Sequence, residues 1–395
     1  MGQALQFIVM NVDDGFRQEL RKVVRACGSI KIVAEVQEAA LLRQAVTQFS
    51  ADVLIVNLDP DPDAVLPIAA EVAAATPELA VFAASTASDS QLILKAMRSG
   101  MKEFLPRPFE VGAMSEAIAR VSSTRTETSH RGTLITVSSP SGGSGATVLA
   151  TNLAVELAQI ATGRVTVVDL DYRYGQVATL LDVEPSYTLA DLCNTPEQLE
   201  QQVIDRALVK HATGVHVLAR PALFEQADTM TGASCVGLLS TLLQFNEYVV
   251  TDGPNRFDIG ASSVLAFSDF NILVLQPVVP AIRSAARVIE SMRDDGTNLE
   301  NLRLICNRAG PDHGYVSLKD LEETLGTKVF AKIPSDWGPI SSAINLGEPL
   351  LTQSPKSKAR LAIAELAERL HAPPDQTDDN GETKKGLIGR IFATT

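Results

Sequence analysis

The sequence predicts an α/β protein built on two mainly parallel sheets, each with helices on both faces. Three observations carry that expectation. Short strand-like and longer helix-like segments alternate from Phe7 to Val121. A second alternation begins at Thr133, and many of its Val- and Ile-rich strands lack the apolar–polar alternation of half-exposed sheets. A glycine-rich turn, Ser138 to Thr147, leads from the first strand of that second set directly into a helix.

Five strands are expected in the first set, at Phe7–Met10, Ile32–Glu35, Val53–Val56, Val81–Ala84 and Glu103–Leu105, with helices near 15–26, 39–49, 64–75, 89–98 and 110–121. Such βα units imply a parallel sheet. Residues 122–132 are polar and read as a linker. The second set has candidate strands at Leu134–Val137, Val165–Val168, Val215–Leu218, Tyr248–Val250, Asn271–Leu275, Leu302–Ile305 and Val329–Ile333. Helices are expected at Thr147–Gln159 and near 356–370. The expected division is therefore 1–121, a linker at 122–132, a larger unit at 133–371, a disordered linker at 372–383 rich in Pro and Asp, and a basic tail at 384–395.

Composition narrows the function classes. At about 100–200 residues per domain, 395 residues suggest two or three domains. Asp and Glu number 47 against 34 Lys and Arg, a formal net charge of −13, so nucleic acid is not an expected partner. No apolar run approaches the length of a membrane span. Met1 to Met10 has no basic region or cleavage site, so no secretory signal is expected. Gln6 stands where a myristoylated sequence needs Ser or Thr. Cys27, Cys193, Cys235 and Cys306 are widely spaced, as reduced buried thiols of a cytoplasmic protein would be.

The turn Ser141-Gly142-Gly143-Ser144-Gly145-Ala146-Thr147 sits where backbone amides and a helix N-terminus favour an anion. Its spacing resembles the deviant Walker A loop of the MinD/ParA family of P-loop ATPases, Lys-Gly-Gly-x-Gly-Lys-Thr. Both family lysines are replaced, by Ser141 and Ala146. The resemblance implies that residues Gly142 to Thr147 surround the phosphates of ATP and that Thr147 contributes a hydroxyl to Mg²⁺. Without the lysines, two cations are lost from the charge neutralisation on which phosphoryl transfer depends, so negligible hydrolysis is expected. Arg173 and Arg308 are candidate replacement cations, although ordinary surface pairing is expected of both.

Other motifs follow the same family. Val167-Val168-Asp169-Leu170-Asp171 resembles the switch I carboxylate pair, which implies a Mg²⁺ role for Asp169 and a water-placing role for Asp171, vestigial if hydrolysis is lost. Tyr248-Val249-Val250-Thr251-Asp252-Gly253-Pro254 resembles the Walker B strand, with Asp252 beside Mg²⁺. A single Asp after a strand is ordinarily a turn or cap residue, but several at the carboxyl ends of one parallel sheet converge on a ligand crevice. Ile305-Cys306-Asn307-Arg308 and Ile333-Pro334-Ser335-Asp336 resemble the adenine-pocket segments, with Asn307 reading the base edge.

Within that family, Asp169 to Asp182, Leu189-Ala190-Asp191-Leu192 and Ile344-Asn345-Leu346-Gly347-Glu348-Pro349-Leu350 resemble CpaE/TadZ-type pilus assembly proteins. Those proteins localise and organise Tad (Flp) pilus secretion machinery, and carry a receiver-like domain before a MinD-like one. The front segment here resembles a response-regulator receiver, which implies a flavodoxin-like sheet. Asn57 stands at the phosphoacceptor position and cannot form an acyl phosphate. Ser85 stands at the switch hydroxyl, and Arg107 at the conserved-lysine position, where its planar fork is no simple substitute. The acidic pair is either Asp13 and Asp14 or, in another alignment, Asn11 and Val12; an N-cap explains Asp13 and Asp14 equally well. Asp59, two residues past Asn57, is expected to point away from the pocket.

In the tail, Leu387, Ile388, Ile391 and Phe392 share one helical face flanked by Lys384, Lys385 and Arg390. It resembles the membrane-targeting tail of MinD, and implies peripheral contact with a membrane or a partner groove. The expectation is a cytoplasmic, dimeric assembly factor for a Tad-type pilus, near the membrane or a cell pole. Its partners would be the machinery's ATPase or membrane components, and ATP and Mg²⁺ would be structural ligands or absent. The rival expectations are a working MinD/ParA-type ATPase switch and a receiver-controlled signalling protein.

Overall fold

In a computed structural model the described residues are 5–11, 13–27, 30–38, 41–49, 51–87, 89–124, 132–193, 201–254, 259–294, 297–310 and 316–372. The first sheet contains β1 (Leu5–Met10), β2 (Ile30–Val36), β3 (Val53–Asn57), β4 (Ala80–Ser85) and β5 (Glu103–Pro106). They alternate with helices α1 (Asp14–Cys27), α2 (Leu42–Gln48), α3 (Pro62–Ala75), α4 (Ser90–Arg98) and α5 (Val111–Thr124). The order is β2-β1-β3-β4-β5 and every pairing is parallel. Phe7, Val9, Ile55 and Phe82 pack on α1 and α5 from one face. Ile8, Met10, Leu54 and Val56 pack on α2 and α3 from the other. Burial of both faces explains why these strands read as unbroken apolar runs.

The second sheet holds β6 (Thr133–Ser138), β7 (Val165–Asp169), β8 (Val209–Lys210), β9 (His216–Leu218), β10 (Tyr248–Asp252), β11 (Phe270–Leu275), β12 (Leu302–Ala309) and β13 (Val329–Pro334). Its order is β13-β12-β11-β6-β10-β7-β9-β8, parallel except for the antiparallel β8–β9 edge. The helices are α6 (Ala146–Ile160), α7 (Val177–Leu180), α8 (Leu189–Cys193), α9 (Gln201–Ala207), α10 (Phe224–Ala227), α11 (Gly232–Phe245), α12 (Ile259–Phe267), α13 (Val279–Asp294), α14 (Leu318–Leu325), α15 (Trp337–Leu346), α16 (Leu350–Gln353) and α17 (Lys358–His371). Helix α6 packs with α17 on one face, tied by the bidentate Arg360–Glu156 pair at 2.7 and 2.8 Å. Among the described residues, no helix is long and apolar enough to cross a membrane.

Every expected strand is present, most of them longer by one to three residues. Two local readings change. Helix α5 continues to Thr124, into the stretch expected as linker. The two-residue strand β8 was not anticipated, because so short a segment carries no periodic signal.

The two sheets are in contact. Helix α12 lies against β2, an edge strand of the first sheet, and so covers an edge that would otherwise invite pairing. Lys31 on β2 is 8% exposed and donates to the Phe267 carbonyl at 3.1 Å and to Asp269 Oδ1 at 2.5 Å. The other Asp269 oxygen accepts from the Leu134 amide at 2.9 Å, at the start of β6. Lys31→Ala is expected to cost about 2 kcal/mol, below the full buried-pair value because Asp269 keeps solvent contact. Denaturant titration checks this.

Candidate functional site

The glycine turn between β6 and α6 is braced from within and from outside. Ser139 Oγ donates to the Ser141 carbonyl at 2.5 Å, and Ser144 Oγ donates to Ser139 Oγ at 2.5 Å. The Asn307 side-chain amide, at the end of β12, donates to the Ser144 carbonyl at 2.7 Å. Gln276 donates to the Gly143 carbonyl at 2.9 Å. Gly145 caps α6 at φ +92°, and a Cβ there would lie 2.5 Å from the Asn307 amide nitrogen. Only glycine fits both constraints. Gly142 and Gly143 face solvent, whereas Ser144 and Ala146 are buried.

Beside the turn, the parallel register places Asp252 level with both Val137 of β6 and Asp169 of β7. Asp252 is fully buried, and among the described residues neither carboxylate oxygen has a hydrogen-bond partner. Burial pushes its pKa up to about 7; the facing Thr147 side chain pulls the other way, and the Asp171 charge adds to the rise. Asp169 is also raised, first by burial and then by Asp252. Asp169 is nevertheless hydrogen-bonded, accepting from the Asp171 amide at 3.2 Å and the Val177 amide at 3.1 Å. Gly175 closes over it, so tightly that a Cβ there would collide with the carboxylate. Asp171 accepts from the Tyr174 amide at 3.1 Å.

A Mg²⁺ ion fits this donor set through Thr147 and Asp252. A hard cation keeping several waters needs only one or two protein oxygens plus phosphate. The partnerless Asp252 carboxylate is the buried charge it would satisfy. Among the described residues no group of three His, Cys, Asp or Glu is arranged to hold a metal alone. Each Asp169 oxygen accepts one backbone amide, so Asp169 also shapes the 169–177 turn.

Residues 135–345 match the CobQ/CobB/MinD/ParA nucleotide binding domain. The chain belongs to this family. The septum site-determining protein MinD of Synechocystis is 28% identical over 265 residues, 65% of this chain and 96% of that protein. A ParA family ATPase from Chlorobium tepidum superposes with TM-score 0.58 at 23% identity, over 61% of this chain and 99% of that one. MinD of Pyrococcus horikoshii, complexed with Mg-ADP, does so with TM-score 0.53 at 22% identity, over 60% and 95%.

Against the family pattern, the base-pocket residues divide. A cavity of about 190 Å³ opens beside α6, walled by Val148, Leu149, Asn307, Arg308, Asp336 and Trp337 among others. Pro334 ends β13 and is not part of the wall, which continues with Ser335. Asp336 lines the cavity while accepting from the Ala359 amide at 3.2 Å. Asn307 lines the cavity with part of its amide already engaged. Its NH₂ holds the Ser144 carbonyl and its oxygen accepts from the Arg308 amide at 2.8 Å, so its shown role is to clamp the turn.

The two candidate cations also divide. Arg173 makes an ordinary surface pair with Asp228 and lies over Phe224. Arg308 departs from the expected surface pairing. Its guanidinium donates to the Gly143 carbonyl at 3.3 Å.

In the first sheet, Arg107 gathers a polar cluster at the carboxyl ends of the strands. The side chain is 5% exposed, and its guanidinium reaches Asp13 at 3.2 Å, Glu19 at 3.2 Å and Asp59 at 3.3 Å, 5.0 Å from the Phe16 ring centre. Burial lowers the Arg107 pKa, but its bonds to Glu19 and Asp13 outweigh that and raise it. Ser85 donates to Asp59 at 2.6 Å, and Asn57 donates to Asn11 at 3.4 Å. Burial raises Asp59, but the Ser85 and Thr86 hydrogen bonds and Arg107 leave it below the usual carboxylate range. Asp13 is lowered chiefly by the Gly15 amide.

Two expectations are corrected here, and one residue is added. Asp14 lies outside the cluster, 91% exposed and paired with Arg17 at 3.4 Å. Asp59 lies inside it: residues two apart share a strand face, so it emerges on the Asn57 side, where Ser85 and Arg107 hold its carboxylate. Glu19 was not anticipated; its place one turn into α1, near the Asp13 cap, is the signal that could have found it. The tail residues Lys384, Lys385, Leu387, Ile388, Arg390, Ile391 and Phe392, and the stretch 373–383, lie outside the described residues.

Proposed function

We propose that this chain is a localisation and assembly factor for a Tad-type pilus, in which a nucleotide-switch domain is retained as a scaffold. The observation that carries the reading is the glycine turn with its anion geometry, held beside a partnerless Asp252, in a chain that lacks both loop lysines. ATP with Mg²⁺ is the ligand this arrangement suits, bound through turn amides, Thr147 and Asp252, with the cavity beside Arg308 taking the base. Family membership and the Mg-ADP complex of the Pyrococcus MinD support that choice of ligand. Turnover is at background, because amides and one cation do not neutralise a transferring phosphoryl group as two lysines do.

The first domain, 1–121, acts as a pseudo-receiver. Its strand order is that of flavodoxin-like receivers, Asn57 cannot accept a phosphoryl group, and the Arg107 guanidinium already occupies the acidic pocket. The larger domain, 133–371, forms the homodimer, and the 384–395 tail gives it peripheral contact with the membrane or pilus machinery, near a cell pole. The pilus assignment rests on the sequence of the 169–182, 189–192 and 344–350 segments.

Titration calorimetry of the whole chain with ATP and Mg²⁺ is expected to show one saturable site with phosphate release at background. Rapid Mg²⁺-dependent release, lost on Asp171→Ala, would instead establish a working ATPase switch. In the host, deletion of the gene is expected to abolish Tad pili and leave septum placement normal. The reverse outcome overturns the pilus assignment.

A further inference from the structure

Arg308 and Asn307 grip consecutive carbonyls of the glycine turn. Asn307 holds Ser144 and Arg308 holds Gly143. The backbone that allows this is unusual: Arg308 has φ +55°, in the left-handed region that side-chain-bearing residues seldom enter. Its amide is anchored on Asn307 Oδ1 at 2.8 Å, which fixes the turn and carries the guanidinium from the end of β12 across to the turn. Among the described residues no carboxylate lies within ion-pair distance of Arg308, whereas the other candidate, Arg173, is paired. Arginine has five N–H donors in a fixed fork, and one is accounted for at Gly143. Arg308 also walls the cavity together with Trp337. The turn itself offers no cation, since Ser141 and Ala146 occupy the lysine positions.

We infer that Arg308 supplies, from β12, the positive charge that the glycine turn lacks, and binds the polyphosphate of the nucleotide there. This rests on the nucleotide-binding reading above. It makes the strained backbone a device for aiming a cation, and it separates two properties that a loop lysine combines. A guanidinium tethered outside the turn can hold ground-state phosphate charge without following the γ-phosphoryl group through transfer. Binding is thereby kept while turnover is not.

The test uses the full chain, and a built-in reporter. Trp337, at the mouth of the cavity, is the sole tryptophan. Its fluorescence, together with calorimetry, follows binding of ATP with Mg²⁺ and of adenosine. Arg308→Gly removes the guanidinium and suits the left-handed backbone, so the fold is kept. It is expected to weaken ATP about tenfold or more and adenosine far less, since Arg308 is one wall of the cavity among many, and Ala146→Lys in the same chain is expected to restore ATP. An Arg308→Gly chain that binds ATP as the wild type does, or that loses adenosine equally, overturns the inference while leaving the nucleotide reading intact. A wild-type chain silent to millimolar ATP and Mg²⁺ overturns both.

Discussion

Asp252→Asn is expected to make the second sheet markedly more stable at neutral and alkaline pH, and no more stable in acid. The folded Asp252 carboxyl titrates near 7, against 3.8 for the free group. Between those values the native chain keeps a proton that the unfolded chain has released. By linkage, stability must fall as pH rises through that window and level off above it. Each unit is worth about 1.4 kcal/mol, so the full penalty approaches about 4 kcal/mol above pH 7. Asn has the shape of the protonated acid and never ionises, so the variant escapes that penalty. Denaturant melts followed by Trp337 fluorescence at pH 5, 6, 7 and 8 measure the effect, and the gap between variant and wild type should widen across the series. Mg²⁺ with ATP should narrow it at pH 8, by stabilising only the chain that has a carboxylate to offer. Parallel profiles would mean that Asp252 is ionised throughout, held by a donor absent from this geometry.

The same residue shows how much the sequence discloses. The strand pattern is strongly periodic and set by burial on both faces, so both sheets are legible from Val- and Ile-rich runs. Asp252 and Asp171 are legible as carboxylates at strand ends. What the sequence conceals is where each oxygen is spent. Asp169 and Asp171 look equivalent as a pair, yet Asp169 is turned onto the Val177 amide by a chain reversal that only Gly175 permits. Asn307 likewise looks like a base-reading residue, and the fold uses it to clamp Ser144, 163 positions earlier. Asp59 differs for a simpler reason: a period of two puts residues 57 and 59 on one face, so Asp59 belongs on the Asn57 side from the sequence alone. Long-range hydrogen bonds such as Lys31 to Asp269 have no local sequence signature at all.

Restoring both lysines, Ser141→Lys with Ala146→Lys, is the substitution expected to change function most. The two positions differ in room. Ser141 is half-exposed, and its hydrogen bonds to Ser139 run through its own main chain, so they survive replacement. Ala146 is the first residue of α6 and is buried, so a lysine there has to extend out of the packed start of the helix, past Thr147, to reach the anion site. A charged hydrogen bond to phosphate contributes about 1.5–3 kcal/mol, or roughly ten- to a hundredfold in affinity. ATP binding by calorimetry should therefore strengthen at least about tenfold. The gain should be larger in an Arg308→Gly background, which lacks the guanidinium inferred to serve the phosphates. Turnover should respond more steeply than binding, because charge placed on the transferring group stabilises the transition state above the ground state. Phosphate release is expected to rise by on the order of a thousandfold from background, to require Mg²⁺, and to disappear with Asp171→Ala. A chain that gains neither affinity nor turnover from two lysines would show that the turn is not shaped for phosphate. If affinity alone improves, the loss of catalysis lies deeper than the missing charge, in the turn that holds Asp169 and Asp171.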